Sequence, residues 1–170
     1  FAIYSFTVLV PLIGTIGSSF TKWNGYGSPE WIGFKNYTRA IKDSIFMSSF
    51  QHVFIYVLAT IILEVVVGLT LAGILTSRKS TDAYRIALFV PVMLPMVIVA
   101  VLWRFIYNAD FGLLNGALEN IGLPQWQQIW LGDQRFALAA ICLVSGWVYA
   151  GFYLAIFFAG LQRLPKEVIE

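Results

Sequence analysis

Long apolar runs alternate with wetter, aromatic-rich segments along this chain. The first run, Phe1 to Phe20, suits a membrane crossing, because about 20 residues at about 1.5 Å rise span a hydrocarbon core of about 30 Å. Pro11, Gly14 and Gly17 would kink or end a soluble helix, but a helix in lipid tolerates them when neighbours satisfy the freed backbone groups. A second span is predicted over residues 46–76, where Thr60, Glu64 and Thr70 interrupt an apolar core from Val53 to Leu75. A third is predicted over 86–107 and a fourth over 136–161. The pattern predicts an all-α integral membrane protein, a multi-span helical bundle with four spans in a single partial domain. Residues 21–45 and 108–135 become outer loops, and 77–85 an inner one.

The wet segments carry their own signals. Gly25, Gly27 and Pro29 punctuate the first loop, while Trp23, Tyr26, Trp31, Phe34 and Tyr37 give it the aromatic density of the headgroup zone. Plain anchoring and contact with an outside partner both fit it. In the second loop Leu113, Leu114, Ala117, Leu118 and Ile121 recur at helical spacing, so a short surface helix is predicted before Gly122-Leu123-Pro124. Trp103, Arg104 and Tyr107 read as an aromatic belt with a snorkelling arginine.

Inside the spans, a few residues stand apart. Glu64 is near the middle of the second, where an ionisable side chain is expensive; it is either a functional group or a hydrogen-bonded carboxyl that fixes packing. Pro91 and Pro95, four residues apart on one face, break the backbone ladder over one turn and either open carbonyls toward a pathway or shape the packing. Gly151, Ala155 and Ala159 repeat every four residues, a small-residue seam for a neighbouring helix. Gly68 and Ala72 show the same spacing.

Composition agrees with the bilayer as solvent. Of 170 residues, 59% are hydrophobic and 12% charged, about half the charge of ordinary soluble domains, about 25%. A net charge of +2 gives no ground for a nucleic-acid partner. Cys142, the one cysteine, cannot form an intramolecular disulfide, and His52, the one histidine, has no metal-binding companion. No zinc-protease helix motif, cysteine pair, phosphate-cradling glycine loop or serine with a basic partner occurs, so an enzyme is not expected and no catalytic or metal residue is assigned. Basic residues divide almost evenly between the two sides. The raw count favours the other side by one, whereas their density in residues 77–85, at Arg78, Lys79 and Arg85, favours an inner position for that loop. Phe1 at one end and Glu170 at the other predict a piece of a longer membrane protein, truncated at both ends.

Several stretches together carry a family resemblance. They are Ser19-Phe20-Thr21-Lys22-Trp23-Asn24-Gly25 with Ile32-Gly33-Phe34-Lys35-Asn36-Tyr37; Arg85 through Phe89-Val90-Pro91 with Pro95 and Leu102-Trp103-Arg104; and Gly112-Leu113-Leu114-Asn115 with Trp130-Leu131-Gly132-Asp133. The most specific is Ala159 to Glu170, AGLQRLPKEVIE. The chain resembles the membrane-spanning permease subunits of binding-protein-dependent ABC importers, of the carbohydrate and glycerol-phosphate uptake branch. The resemblance implies the type I importer permease fold in the cytoplasmic membrane of a prokaryote. It also implies that Leu164, Pro165, Lys166, Glu167 and Glu170 begin a coupling helix (165–170) that docks on an ATPase subunit, with Glu170 the first residue of the family's Glu-Ala-Ala loop. The implied partners are an ATP-binding subunit, a second permease subunit, an extracytoplasmic substrate-binding protein and the lipid bilayer. This chain itself would hold no cofactor, since ATP and Mg would be bound by the ATPase. The rival reading is a secondary transporter or channel subunit with Glu64 as an intramembrane ion or proton site.

Overall fold

The structure, a computed structural model, describes residues 2–76 and 82–163. The chain divides into two compact units, Phe1–Val53 and Phe54–Glu170.

In the first unit α1 (Ala2–Tyr4) runs through a π-helical segment (Ser5–Leu9) into α2 (Val10–Ser18). Hydroxyls inside this apolar stretch are satisfied locally: Thr7 donates to the Ile3 carbonyl at 2.8 Å and Thr15 to that of Pro11 at 2.9 Å. The segment expected as a loop has regular structure. Strands β1 (Thr21–Lys22) and β2 (Glu30–Trp31) pair antiparallel, Thr21 opposite Trp31, and α3 (Lys35–Lys42) comes next. Gly25 and Gly27, at φ +91° and +72°, supply the left-handed backbone that the hairpin tip needs. The Asn36 amide donates to the Ser19 and Thr21 carbonyls at 2.8 and 2.9 Å, and Tyr37 shares a 2.6 Å hydrogen bond with Ser19. The Phe20 ring is surrounded by Trp31, Phe34 and Tyr37 at centroid distances of 5.3–5.5 Å. The Asn-Tyr pair thus ties α3 back to the end of α2.

Asp43 then accepts from the backbone N–H groups of Ile45 and Phe46 at 2.9 and 3.1 Å, an N-cap that starts the next helix at Ser44. That helix continues without a break as α4 (Ser44–Thr60), a π-helical segment (Ile61–Val66) and α5 (Val67–Thr76). The polar interruptions seen in sequence are all satisfied within the described residues. Thr60 donates to the Tyr56 carbonyl at 2.9 Å, Thr70 to that of Val66 at 2.7 Å, and Glu64 receives a bond from another helix.

The third predicted span is not one straight helix. It forms α6 (Asp82–Met93) and α7 (Met96–Ile106), bent by 100°. Proline explains the break. Pro95 has no N–H to offer the Pro91 carbonyl, and the residue before a proline is steered away from helical geometry. The Pro91 carbonyl instead takes the Leu94 N–H at 3.2 Å, and Pro95 restarts the ladder by accepting from Ile98 and Val99 at 2.9 and 3.2 Å.

The predicted surface helix is α8 (Leu113–Asn120), and the segment predicted as the fourth span forms α9 (Gln134–Leu161). Among the described residues, two helices are long and apolar enough to cross a membrane, Ser44–Thr76 and Gln134–Leu161, or three if the bent pair is one span. The first apolar segment contributes a shorter helix, Ser5–Ser18. The second unit is assembled on α9. Ala72 and Leu75 of α5 pack against Leu154 and Phe158 of α9 as a buried cluster, with Ala72 fully inaccessible. Small residues permit this approach: a Cβ on Gly68 would lie 2.8 Å from the Tyr153 Cβ and 3.0 Å from the Leu154 nitrogen.

Candidate functional site

Four features of the second unit bear on function: a polar link between helices, an aromatic column beside the bend, a segment pinned by Asn115, and a contact at the α6 end of the bundle. The link joins the π-helical segment to α9. Ser145 donates to the Glu64 carboxylate at 2.7 Å, and the Tyr56 hydroxyl donates to Ser145 at 3.2 Å. All three side chains are half-buried. A π-helical turn inserts one extra residue and re-aims the side chains after it, and here it presents Glu64 to α9. Next to this link is a cavity of about 350 Å³, bordered by Tyr56, Met96, Val99, Trp103, Ser145 and Tyr149.

The aromatic column corrects the belt expected at the end of the third span. Trp103 meets Trp147 edge-on at 5.6 Å and Tyr107 at 5.0 Å; Tyr107 continues to Trp130 at 6.3 Å and Trp130 to Phe136 at 5.9 Å. Tyr107 is only 4% exposed and donates to the Ala140 carbonyl at 3.1 Å. Trp103 and Tyr107 therefore pack inward on α9, while Arg104 stays exposed. The Trp103 indole N–H is buried without a partner among the described residues.

Asn115 organises the segment around α8. It is 6% exposed, and its amide donates to the Ala109 and Gln128 carbonyls at 3.2 and 3.0 Å. Its oxygen accepts from the Trp130 indole at 2.8 Å and from the Gln128 N–H at 3.3 Å. Asp133 then caps α9, accepting from the Arg135 N–H at 2.9 Å and pairing with its guanidinium at 2.6 Å. The Arg135 side chain first, and its backbone N–H second, hold the Asp133 carboxyl below its ordinary value, at about 2.

At the other end of α6, Arg85 pairs with Asp82 one turn back and lays its guanidinium over the Phe158 ring of α9, 4.3 Å from the centroid. These groups border a groove of about 740 Å³ that also includes Phe89, Ala155, Ala159 and Gln162.

The predicted site residues fall in different places. Glu64 lies in the link, and Pro91 and Pro95 shape the bend. Gly151 faces α6 across a very close approach: a Cβ there would lie 2.6 Å from the Leu88 carbonyl carbon and 3.1 Å from the Phe89 Cα. Ala155 and Ala159 line the groove instead. Leu164, Pro165, Lys166, Glu167 and Glu170 lie outside the described residues. Ser145 and Gly146 are not singled out by the sequence pattern, and Asn115 enters it only as a letter of the Gly112–Asn115 motif. A Cβ on Gly146 would sit 2.7 Å from that of Leu63. The available signal is a lone polar or small residue inside an apolar run, whose partner is distant in sequence. Among the described residues no group of three or more His, Cys, Asp or Glu side chains comes together that could hold a metal ion.

No protein-family model matches the chain. It is 34% identical over 168 residues to the probable ABC transporter permease protein YurN of Bacillus subtilis (strain 168), covering 96% of this chain and 57% of that protein. It is also 34% identical over 182 residues to the diacetylchitobiose uptake system permease protein NgcF of Streptomyces coelicolor, covering 99% of this chain and 51% of that protein. The chain thus spans about half the length of these curated relatives. Among solved structures, a bacterial ABC transporter that imports the acidic polysaccharide alginate superposes with a TM-score of 0.81 at 19% identity, over 98% of this chain and 56% of that one. That likeness is one of fold.

Proposed function

This chain belongs to the ABC transporter permeases, and on that premise we infer that it is the membrane-spanning part of an ATP-driven importer for sugars or oligosaccharides. The observation that carries the reading is the 34% identity to a diacetylchitobiose uptake permease over 99% of the chain. In this reading the second unit contributes to the translocation pathway. The first apolar segment and the bent pair join the two long helices as the four spans of this part of the protein. The pinned outer segments face a substrate-binding protein, and a second permease subunit completes the pathway. Residues 164–170 begin the coupling helix on a separate ATPase subunit, which binds ATP and Mg. Substrate is released by rocking of the spans between outward-open and inward-open states.

The rival use of Glu64 as an ion or proton site has less support. A carboxylate that accepts a 2.7 Å bond from Ser145 has a packing role already. The importer reading is tested in the full-length protein, assembled with its ATPase and binding protein in proteoliposomes. Glu170→Ala is expected to abolish ATP-dependent sugar uptake while leaving affinity for the binding protein unchanged. Normal uptake in that variant would remove the coupling role.

A further inference from the structure

We propose that Arg85 is a positioning residue for transport, transmitting motion of the α9 C-terminal end to α6 through its contact with Phe158. The proposal rests on the reading of the chain as an ATP-driven importer subunit.

The geometry supports it in three ways. Phe158 is held firmly, 6% exposed within the Ala72, Leu75 and Leu154 cluster, so its ring moves with the ends of α5 and α9. The Arg85 guanidinium covers that ring at 4.3 Å, and the ion pair with Asp82 on the same helix fixes where it points. Its Nε is buried with no partner among the described residues, so the stacked face and the Asp82 pair define its position. A planar cation between a ring on one helix and a carboxylate on another turn of its own helix resists sliding in both directions.

The location gives this contact a task. Beyond Leu161 the chain leads toward residues 164–170, the segment assigned to the ATPase, whereas α6 leads to the proline break between Met93 and Met96. The groove beside the contact leaves the facing surfaces of α6 and α9 apart over Phe89, Met93, Ala155 and Ala159. Gly151 makes the other close approach between these helices, one backbone against another. A push at the end of α9 therefore reaches α6 at two points, the Arg85–Phe158 stack near the end and the Gly151–Leu88 contact further in. Two separated points make α6 turn with α9 as a lever, and the proline break absorbs the rotation. With the stack removed, α6 can pivot about Gly151, and ATP is hydrolysed without moving sugar.

The test measures both ATP hydrolysis and sugar uptake by the full complex in proteoliposomes, for wild type, Arg85→Gln, Arg85→Lys, Phe158→Leu, Phe158→Tyr and the double variant R85Q/F158L. Phe158→Leu keeps an apolar group in the core, and Arg85→Lys keeps the pairing charge, so each preserves assembly while removing the flat stack. Sugar moved per ATP is expected to fall about fivefold in Arg85→Gln, Arg85→Lys and Phe158→Leu, within the range a desolvated cation–π contact supports. Phe158→Tyr keeps an aromatic face and should retain the wild-type ratio. The double variant should be no worse than either single, because both act through one contact. A purely structural role would lower the amount of assembled complex and leave the ratio unchanged, which would overturn the proposal, as would additive losses in the double variant. Absence of ATP-driven uptake in the wild-type complex would instead count against the importer reading and remove this inference with it.

Discussion

The approach of α9 to α6 at Gly151 gives the sharpest structural prediction. A methyl added there would lie 2.6 Å from the Leu88 carbonyl carbon and 3.1 Å from the Phe89 Cα. Carbon atoms prefer separations of about 3.5–4.0 Å, so α6 must retreat by roughly 1 Å, and the obstacle is backbone rather than a movable side chain. Overpacking of this kind costs about 1–3 kcal/mol, and displacement of a whole helix belongs at the upper end. Gly151→Ala in the full-length protein should therefore lower the midpoint of thermal aggregation in detergent and raise protease cleavage near α6, with Gly151→Val more severe. Ala155→Val and Ala159→Val serve as controls, because their side chains border the open groove and have room to grow. The contrast between the positions is the informative quantity. If Gly151→Ala is as stable as wild type, or if all three substitutions are equally harmful, the close-approach argument fails.

Individual side chains give three other predictions. Asn115→Ala leaves the Ala109 and Gln128 carbonyls, the Trp130 indole and the Gln128 N–H without their shared partner; a loss of about 1 kcal/mol should register as faster hydrogen exchange over residues 109–130, and unchanged exchange would count against the pin. Glu64→Gln keeps an acceptor for Ser145 and should transport normally at all pH values, whereas Ser145→Ala should reduce thermal stability. A pH-dependent loss in Glu64→Gln would restore the ion-site reading. Asp133 has a folded value of about 2 against an ordinary 3.8, so its contribution is present above the ordinary value and is lost as pH falls through the lower one. A carboxyl NMR titration should show a midpoint near 2, and a midpoint at the ordinary value would show that the cap with Arg135 is not kept in solution.

The sequence is most informative where a single helix suffices. The run from Val53 to Leu75 and the run into Leu161 identify their helices by apolarity alone, because lipid imposes the same demand along the whole length. The proline pair announces a break in the third segment, but not a bend of 100°. That angle depends on which carbonyl the Leu94 N–H reaches, and on what α7 packs against afterwards. Trp103 and Tyr107 defeat the sequence pattern for a related reason. Interfacial tryptophans and inward-packing ones occupy the same place at a helix end, and Trp147 and Trp130, which decide between them, come 44 and 23 residues later. Glu64 stands out because a charge in an apolar run is rare, whereas its partner Ser145, 81 residues away, has a hydroxyl that any helix can satisfy locally. The Asn36 and Asn115 pins are visible in sequence only as motif letters. What gives each its role is a set of backbone carbonyls and N–H groups that no composition argument locates.

The π-helical segment Ile61–Val66 has a consequence for how this helix tolerates changes in length. Such a turn holds one residue more than regular geometry requires, and each residue of an α-helix adds about 100° of rotation. Removing Ile62 or Val65, which leaves Leu63 and Glu64 in the chain, would let the turn relax into ordinary α-helix, with the hydrogen-bond ladder complete on both sides. Ser44–Thr60 and Val67–Thr76 could then keep their present facings, because the deletion takes out the extra residue that the turn accommodates. Removal of one residue from α5 has no such outlet. A deletion between Gly68 and Ala72 would turn Ala72 and Leu75 off the α9 surface by about 100° and bring other side chains into the closest part of the bundle. The same lesion, a single missing residue, should cost the aim of Glu64 toward Ser145 but spare the α5–α9 packing on one side of Val66, and disrupt that packing on the other.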